Sequence, residues 1–229
     1  MPSADAVPWG VVVPVKRLAH AKTRLAAYGG ALRQELALAF AADVVEAALR
    51  CSVVERVLVV SDDPRATRLL QELGATVVAD APDAGLNPAL RHGAELLRVE
   101  HPGRGVATVS ADLPSLRPED LAAALVQVPA GGRGFVADAD GRGTTLLAAG
   151  PGADLAPAYG GGSRAGHLAS GAVAAALPAP PAVRGVGRRR AVALAQASAV
   201  NRLRTAGTRR RRPGRAPRRR PGETGPERP

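Results

Sequence analysis

Short apolar runs alternate with longer amphipathic stretches along the first two thirds of this chain. Four Val-rich runs, bounded by Gly, Pro or Asp, are typical of short strands buried on both faces: 9–15, 56–60, 76–79 and 105–110. Four intervening stretches repeat their apolar positions every three to four residues and predict helices: 31–50, 64–73, 87–99 and 117–126. Two further short runs predict strands around a turn: 134–137 and 145–148. The order β-α-β-α-β-α-β-α-β-β favours an α/β fold with a mostly parallel, doubly wound sheet.

In such a sheet, ligands bind beyond the carboxyl ends of the strands. This rule points to the loops that follow Val15, Ala79 and Ser110. Asp62 and Asp63 precede a Pro and suit the start of the second helix, because Asp caps helices and Pro is tolerated in the first turn.

The loop after the first strand is basic. It carries Lys16, Lys22 and Arg24, and these two lysines are the only ones in the chain. Lysine offers a compact charge to phosphate oxygens, and arginine can clamp two of them. The segment is neither a Walker A loop nor a G-x-G-x-x-G loop, so side-chain cations would have to hold a phosphate here. A solvated basic loop without a ligand is the alternative interpretation.

Two further polar positions follow predicted strands. Asp112, just past the fourth strand, can hold a divalent cation that bridges phosphates, or it can simply close a turn. Asn87 can read the edge of a base or a ribose, although an Asn that caps a helix is the ordinary explanation and is favoured on these grounds alone.

Two segments combine glycine with hydroxyl side chains: 143–145 and 159–163. Glycine lets a backbone approach an anion closely, and the hydroxyls of Thr and Ser can complete such a site. A flexible loop is the alternative. His20 and His167 lie in candidate loops, and no Cys/His spacing indicates zinc.

Composition separates the body of the chain from its end. The net charge of +11 suggests a nucleic-acid partner, but residues 1–183 carry 16 basic and 18 acidic side chains, whereas 184–229 carry 15 Arg and 2 Glu. We therefore expect a domain over 7–183 and a disordered Arg/Pro-rich tail over 184–229. One cysteine excludes an intrachain disulfide, and the lack of a long apolar run leads us to expect a cytoplasmic protein with no membrane partner.

Taken in order, several motifs resemble one family. V-K-R-L-x-x-A-K-T-R-L, L-N-x-A-L, S-A-D-L-P-S-L, G-x-G-T-T and Y-G-x-x-S-x-x-x-H-x-x-S-G-A are similar to segments of the guanylyltransferases of coenzyme F-420 biosynthesis, over residues 11–173. The resemblance implies a Rossmann-like nucleotidyltransferase sandwich. It also implies guanylyl transfer from GTP to phosphoenolpyruvate, or to 2-phospho-L-lactate in archaeal members. Other nucleotidyltransferases, which act on sugar phosphates or molybdopterin, usually have a Gly-rich first loop that is missing here.

The resemblance also implies roles for individual residues. Asn87 would bind the nucleotide. Three basic side chains would make the catalytic contacts with the GTP phosphates: Lys16, Lys22 and Arg24. Phosphoenolpyruvate would contact three residues of the Gly-containing segments: Thr144, Gly160 and Ser163. Asp112 would bind Mg²⁺. The oligomeric state, a homodimer included, stays open.

The chain departs from the family after its S-G-A-V segment. The family continues with R-x-D-V-D-T, which supplies a second metal-binding Asp, whereas no Asp follows Asp154 here. A divergent tail, an extension that tethers nucleic acid, and a shifted reading frame in a GC-rich gene are three explanations, and we favour the third. The activity of this chain is therefore in question. The rival hypothesis is a nucleic-acid-binding protein whose tail binds non-specifically and in a salt-sensitive manner.

Overall fold

The computed structural model describes residues 7–18, 30–81 and 83–175. Seven strands and five helices lie in these ranges. The strands are β1 (Trp9–Pro14), β2 (Val54–Val60), β3 (Thr76–Val78), β4 (Gly105–Val109), β5 (Arg133–Ala137), β6 (Thr144–Ala149) and β7 (Val173–Ala174). The helices are α1 (Gly30–Arg50), α2 (Pro64–Glu72), α3 (Leu86–Glu100), α4 (Pro118–Leu125) and α5 (Ser163–Ala169).

The seven strands form one mixed sheet in the order β3-β2-β1-β4-β6-β5-β7. The first four in this order are mutually parallel, which confirms the predicted α/β fold with a mostly parallel sheet. Strand β6 is antiparallel to both of its neighbours. Its first residue, Thr144, therefore lies at the edge of the sheet where β4 ends.

Hydrophobic residues cover both faces of the sheet. On one face α1 packs against β1 and β2, and α4 packs against α1 and β5, with Val11, Val44 and Leu121 fully buried. On the other face α3 packs over β1, β2 and β4. Because the chain has few aromatic residues, this core consists mainly of Val, Leu and Ala, whose small side chains allow close packing of helices on the sheet.

The predicted elements agree with the structure to within one or two residues. Asp63 caps α2 and Pro64 is its first residue, as predicted. Helix α5 and strand β7 were not predicted as elements. No helix among the described residues is both long enough and apolar enough to cross a membrane.

Candidate functional site

A cavity with a volume of about 420 Å³ lies at the carboxyl edge of the parallel strands. Its walls come from the ends of β1, β2 and β3 and from the start of α3, and they include Lys16 and Arg17. The loops after β1 and β3 were predicted to bind ligand, and the loop after β2 adds Ser61 and Asp62. Lys16 and Arg17 are exposed and bring positive charge to the rim. Lys22 and Arg24 lie outside the described residues.

Asp63 joins the start of the basic loop to helix α2. Its Oδ2 accepts a hydrogen bond from the backbone N–H of Leu18 at 2.9 Å, and its Oδ1 accepts from those of Arg65 and Ala66 at 3.0 and 3.1 Å. Burial favours protonation, but these backbone donors hold the pKa of the Asp63 carboxyl below its ordinary value. Asp63 is therefore an ionised anchor for the chain that leaves Lys16.

Three carboxylates meet in the same cavity. Asp62, Asp80 and Asp83 each place one oxygen within 4.8 Å of the others. The backbone N–H of Asp80 donates to Asp62 Oδ1 at 3.1 Å, which fixes the two loops against each other. Asp80 Oδ1 is buried and has no hydrogen-bond partner among the described residues. A buried carboxylate oxygen without a donor is what a cation or a ligand N–H would satisfy.

A smaller cleft adjoins this cavity, since Pro14 and Leu86 line both. The cleft also contains Ser110 and Tyr159. Ser110 stands two residues before Asp112, which is exposed in the loop after β4. The structure therefore places the predicted metal ligand Asp112 on the loop that borders the cleft, and the carboxylate cluster at the ends of β2 and β3.

Asn87 holds the loop that contains Tyr159. Its Nδ2 donates to the carbonyl oxygen of Tyr159 at 3.0 Å, and its Oδ1 accepts from the N–H of Tyr159 at 2.8 Å. The side chain thus pairs with a backbone as a neighbouring strand would. One N–H and one lone pair of the amide remain for other partners, so the predicted contact with nucleotide stays a prediction.

Tyr159 is fixed at its ring as well as at its backbone. The Tyr159 hydroxyl lies 2.8 Å from Thr108 Oγ1, and Thr108 in turn donates to the carbonyl oxygen of Leu147 at 3.3 Å. Burial raises the pKa of the Tyr159 hydroxyl well above its ordinary value, so the group stays protonated and donates to Thr108.

The three residues predicted to bind phosphoenolpyruvate lie on two connected segments. Thr144 begins β6, while Gly160 and Ser163 lie in the loop and first turn of α5. The N–H of Arg164 donates to the carbonyl oxygen of Arg142 at 3.2 Å and joins the two segments. Thr144 and Ser163 are both buried. The antiparallel direction of β6 brings this group to the same edge of the sheet as the cavity.

His167 connects the segment that contains Thr144 with the loop before α5. It is fully buried, with Nδ1 2.9 Å from Thr144 Oγ1 and Nε2 3.1 Å from the backbone nitrogen of Ala158. The rings of Phe135 and Tyr159 pack against it. Burial and the positive charge of Arg133 lower the pKa of His167, which favours the neutral ring. The sequence placed His167 in a candidate loop and in the last family motif, but assigned it no role.

Two glycines of the motifs are explained by geometry. A Cβ on Gly143 would lie 2.4 Å from Asp138 Oδ2, because this carboxylate folds over the turn and accepts the N–H of Arg142. Gly162 has a φ of 75°, a backbone conformation that residues with a side chain rarely adopt, and it precedes Ser163. Both glycines set the backbone next to a residue predicted to bind substrate.

Strand β7 runs parallel to β5 and therefore ends at the same edge as β1 and β4. The described chain reaches residue 175 there. The sequence after residue 175 contains no Asp, so the second Asp that the family resemblance implies is not supplied by this chain.

The fold is the one seen in solved nucleotidyltransferase structures. The structure is similar to a nucleotidyl transferase from Methanothermobacter with a TM-score of 0.57, 20% identity and coverage of 87% of this chain and 99% of that one. At this identity the likeness shows the fold alone. Residues 9–172 match the family model described as "Guanylyl transferase CofC like". The chain belongs to this guanylyltransferase family, which confirms the predicted resemblance.

Similarity to individual relatives is high. The chain is 54% identical to a phosphoenolpyruvate guanylyltransferase of Thermomonospora curvata over 164 residues, which cover 72% of each chain. It is 51% identical to a phosphoenolpyruvate guanylyltransferase of Streptomyces coelicolor over 177 residues, covering 77% of this chain and 84% of that one. The predicted enzyme class, a nucleotidyltransferase, is confirmed.

Proposed function

We propose that this protein transfers the guanylyl group of GTP to the phosphate of phosphoenolpyruvate, as a step of coenzyme F-420 biosynthesis. The products are enolpyruvyl-diphospho-guanosine and pyrophosphate. The observation that carries this proposal is the 54% identity to a relative named phosphoenolpyruvate guanylyltransferase. Both substrates are metabolites of the cytoplasm, where we expect the enzyme to act.

GTP and phosphoenolpyruvate would bind next to each other at the carboxyl edge of the parallel strands. We assign the triphosphate to the cavity that Lys16 borders, with Lys22 and Arg24 contributing from the same loop. We assign phosphoenolpyruvate to Thr144, Gly160 and Ser163, at the start of β6 and of α5. The cleft with Pro14 and Ser110 adjoins the cavity and would hold the α-phosphorus between the two ligands.

The reaction requires little proton transfer. A phosphate oxygen of the acceptor forms a bond to the α-phosphorus of GTP, and the bond from that phosphorus to the bridging oxygen breaks. The electron pair of the broken bond leaves with pyrophosphate. Since the attacking phosphate is already ionised, no strong base is needed, and catalysis consists of positioning and neutralisation of charge by the basic loop.

Magnesium fits the oxygen-rich composition of this edge. Asp112 would bind it according to the family pattern. The cluster of Asp62, Asp80 and Asp83 offers a second set of ligands, in which one buried Asp80 oxygen has no partner within the described part of the chain. When bound, the ion supplies positive charge to phosphate oxygens. Calorimetric titration with Mg²⁺ would show which of the two sets of carboxylates binds the ion. The variants are Asp112→Asn and Asp80→Asn, with Glu119→Gln as the control. Affinity for Mg²⁺ should be lower in Asp112→Asn than in the control.

The missing Asp after β7 should reduce activity without changing the substrates. A chimera that carries the C-terminal segment of the Thermomonospora relative after residue 175 should turn over at least about tenfold faster, because a ligand of the catalytic metal typically contributes that much or more. Equal rates would show that this chain does not need the segment. We also propose that 7–183 is the catalytic domain and that removal of 184–229 leaves its activity intact.

Pyrophosphate release tests the proposal directly. The full chain is assayed with GTP, ATP or CTP and with phosphoenolpyruvate or 2-phospho-L-lactate. Release should require GTP and be fastest with phosphoenolpyruvate. Lys16→Ala should slow it by about tenfold or more, since a charged contact to phosphate is lost, whereas exposed Arg68→Ala on α2 should not. A preference for 2-phospho-L-lactate or for another nucleotide would overturn the assignment.

A further inference from the structure

His167 makes two hydrogen bonds that together determine where its proton lies. A backbone N–H can only donate, so the Ala158 nitrogen at 3.1 Å requires Nε2 of His167 to be an unprotonated acceptor. A neutral imidazole then carries its proton on Nδ1, the nitrogen that lies 2.9 Å from Thr144 Oγ1. His167 is therefore the donor to Thr144.

This direction has a consequence for Thr144. Once its oxygen accepts from Nδ1–H, the hydroxyl hydrogen of Thr144 must point away from His167. With the opposite tautomer, Thr144 would donate to Nδ1 and present a lone pair outward. Only the first arrangement offers a donor to an anion, and the acceptor proposed above is an anion with both a phosphate and a carboxylate.

We propose that His167 is a positioning residue that turns the Thr144 hydroxyl into a hydrogen-bond donor toward the acceptor substrate. The N–H of Ala158 sets the tautomer of His167. Whether the Thr144 hydroxyl donates or accepts outward therefore depends on the loop that also carries Tyr159 and Gly160. An ordered loop thus prepares the acceptor site before the anion arrives. The identity of the ligand rests on the proposed function, whereas the tautomer does not.

The tautomer itself can be measured without any substrate. Nitrogen-15 NMR of the full chain with labelled histidine distinguishes a neutral Nδ1–H ring from a neutral Nε2–H ring and from an imidazolium ion. The chain has four histidines, and His167→Asn identifies the signal by its loss. A neutral Nδ1–H ring at pH 7.5 is expected. An Nε2–H ring or an imidazolium ion would overturn the proposal.

Two substitutions separate the two hydrogen bonds. In His167→Asn the amide nitrogen can take the place of Nδ1 and still donate to Thr144. In His167→Gln the longer amide reaches the position of Nε2, so it can accept from Ala158 but no longer donates to Thr144. We expect His167→Gln to raise KM for the acceptor roughly 10- to 100-fold, the usual effect of a lost hydrogen bond to a charged group, with KM for GTP unchanged. His167→Asn should stay within about threefold of the parent.

A double substitution tests whether His167 acts through Thr144. Thr144→Val removes the hydroxyl and should raise KM for the acceptor by the same factor as His167→Gln. Adding His167→Gln to Thr144→Val should then change KM no further, because the contact is already lost. Independent, multiplicative effects would overturn the proposal. If no acceptor supports guanylyl transfer at all, the proposed function fails while the NMR result still decides the tautomer.

Discussion

Replacement of Asp63 tests how the basic loop is held on the sheet. Asp63→Ala removes the N-cap of α2, which typically costs about 1 kcal/mol. It also leaves the buried N–H of Leu18 without its acceptor at 2.9 Å, which adds about 1–3 kcal/mol. We therefore expect the free energy of unfolding to fall by about 2–4 kcal/mol, or about 4–15 °C in Tm for a domain of this size.

A second substitution at the same position separates the two contributions. Asp63→Ser keeps one oxygen that can cap α2 but lacks the second oxygen that reaches Leu18. It should recover only the capping share of the stability, and KM for GTP should rise because the chain after Lys16 loses its anchor. Urea unfolding and steady-state kinetics on both variants provide the measurements.

The pH dependence of this contribution has a definite sign. The folded pKa of Asp63 lies below its ordinary value, so its contribution is present above pH 4 or so and is lost as the pH falls through the folded pKa. Asp63→Ala should flatten this acid limb of the stability curve. Stability of Asp63→Ala within about 0.5 kcal/mol of the parent, or full recovery in Asp63→Ser, would refute the reasoning.

Three further predictions concern the acceptor side of the site. Asn87→Ala removes both hydrogen bonds to the Tyr159 backbone, so KM for the acceptor should rise by about tenfold or more, with Asn87→Asp intermediate because it keeps the oxygen that accepts the Tyr159 N–H. Gly143→Ala should lower Tm and acceptor affinity because its Cβ would collide with a carboxylate, whereas Gly103→Ala, which meets nothing within 4 Å, should be tolerated. The pKa of His167 is lowered in the folded state, so its contribution to the free energy of unfolding should be complete above pH 6.5 and decrease as the pH falls below it. Urea unfolding of His167→Asn should show a weaker decrease with falling pH. A pH slope equal to that of the parent would contradict this prediction.

Local patterns predicted the helices and parallel strands because each has a strong signal of its own. The run of Val in β1 and the apolar stripe of α1 are examples. The turn predicted between β5 and β6 fits an antiparallel pair, because parallel neighbours need a longer connection. The place of β6 between β4 and β5 could not be predicted in this way, since a short apolar run does not indicate its neighbours in the sheet. Helix α5 has only seven residues and follows three glycines, so its periodicity is too short to detect.

In the candidate site, too, residues with a local sequence signal could be predicted, whereas contacts that depend on tertiary structure could not. Lys16 and Thr144 were predicted, because a basic loop after a strand and a Gly-Thr-Thr segment are local features. The pairing of His167 with Thr144 depends on tertiary structure, because 23 residues separate them. The sequence predicts that Asp62 and Asp63 both suit the start of α2, yet only Asp63 caps the helix, whereas Asp62 lines the cavity.

The central claim is that this chain joins a guanylyl group to phosphoenolpyruvate. The most direct measurement uses GTP labelled in its α-phosphate, with mass spectrometric identification of the labelled product and parallel measurement of pyrophosphate. The account predicts enolpyruvyl-diphospho-guanosine and pyrophosphate in equal amounts, formed only when phosphoenolpyruvate is present. Label that enters no adduct with phosphoenolpyruvate, in either the folded chain or the chimera, would contradict it.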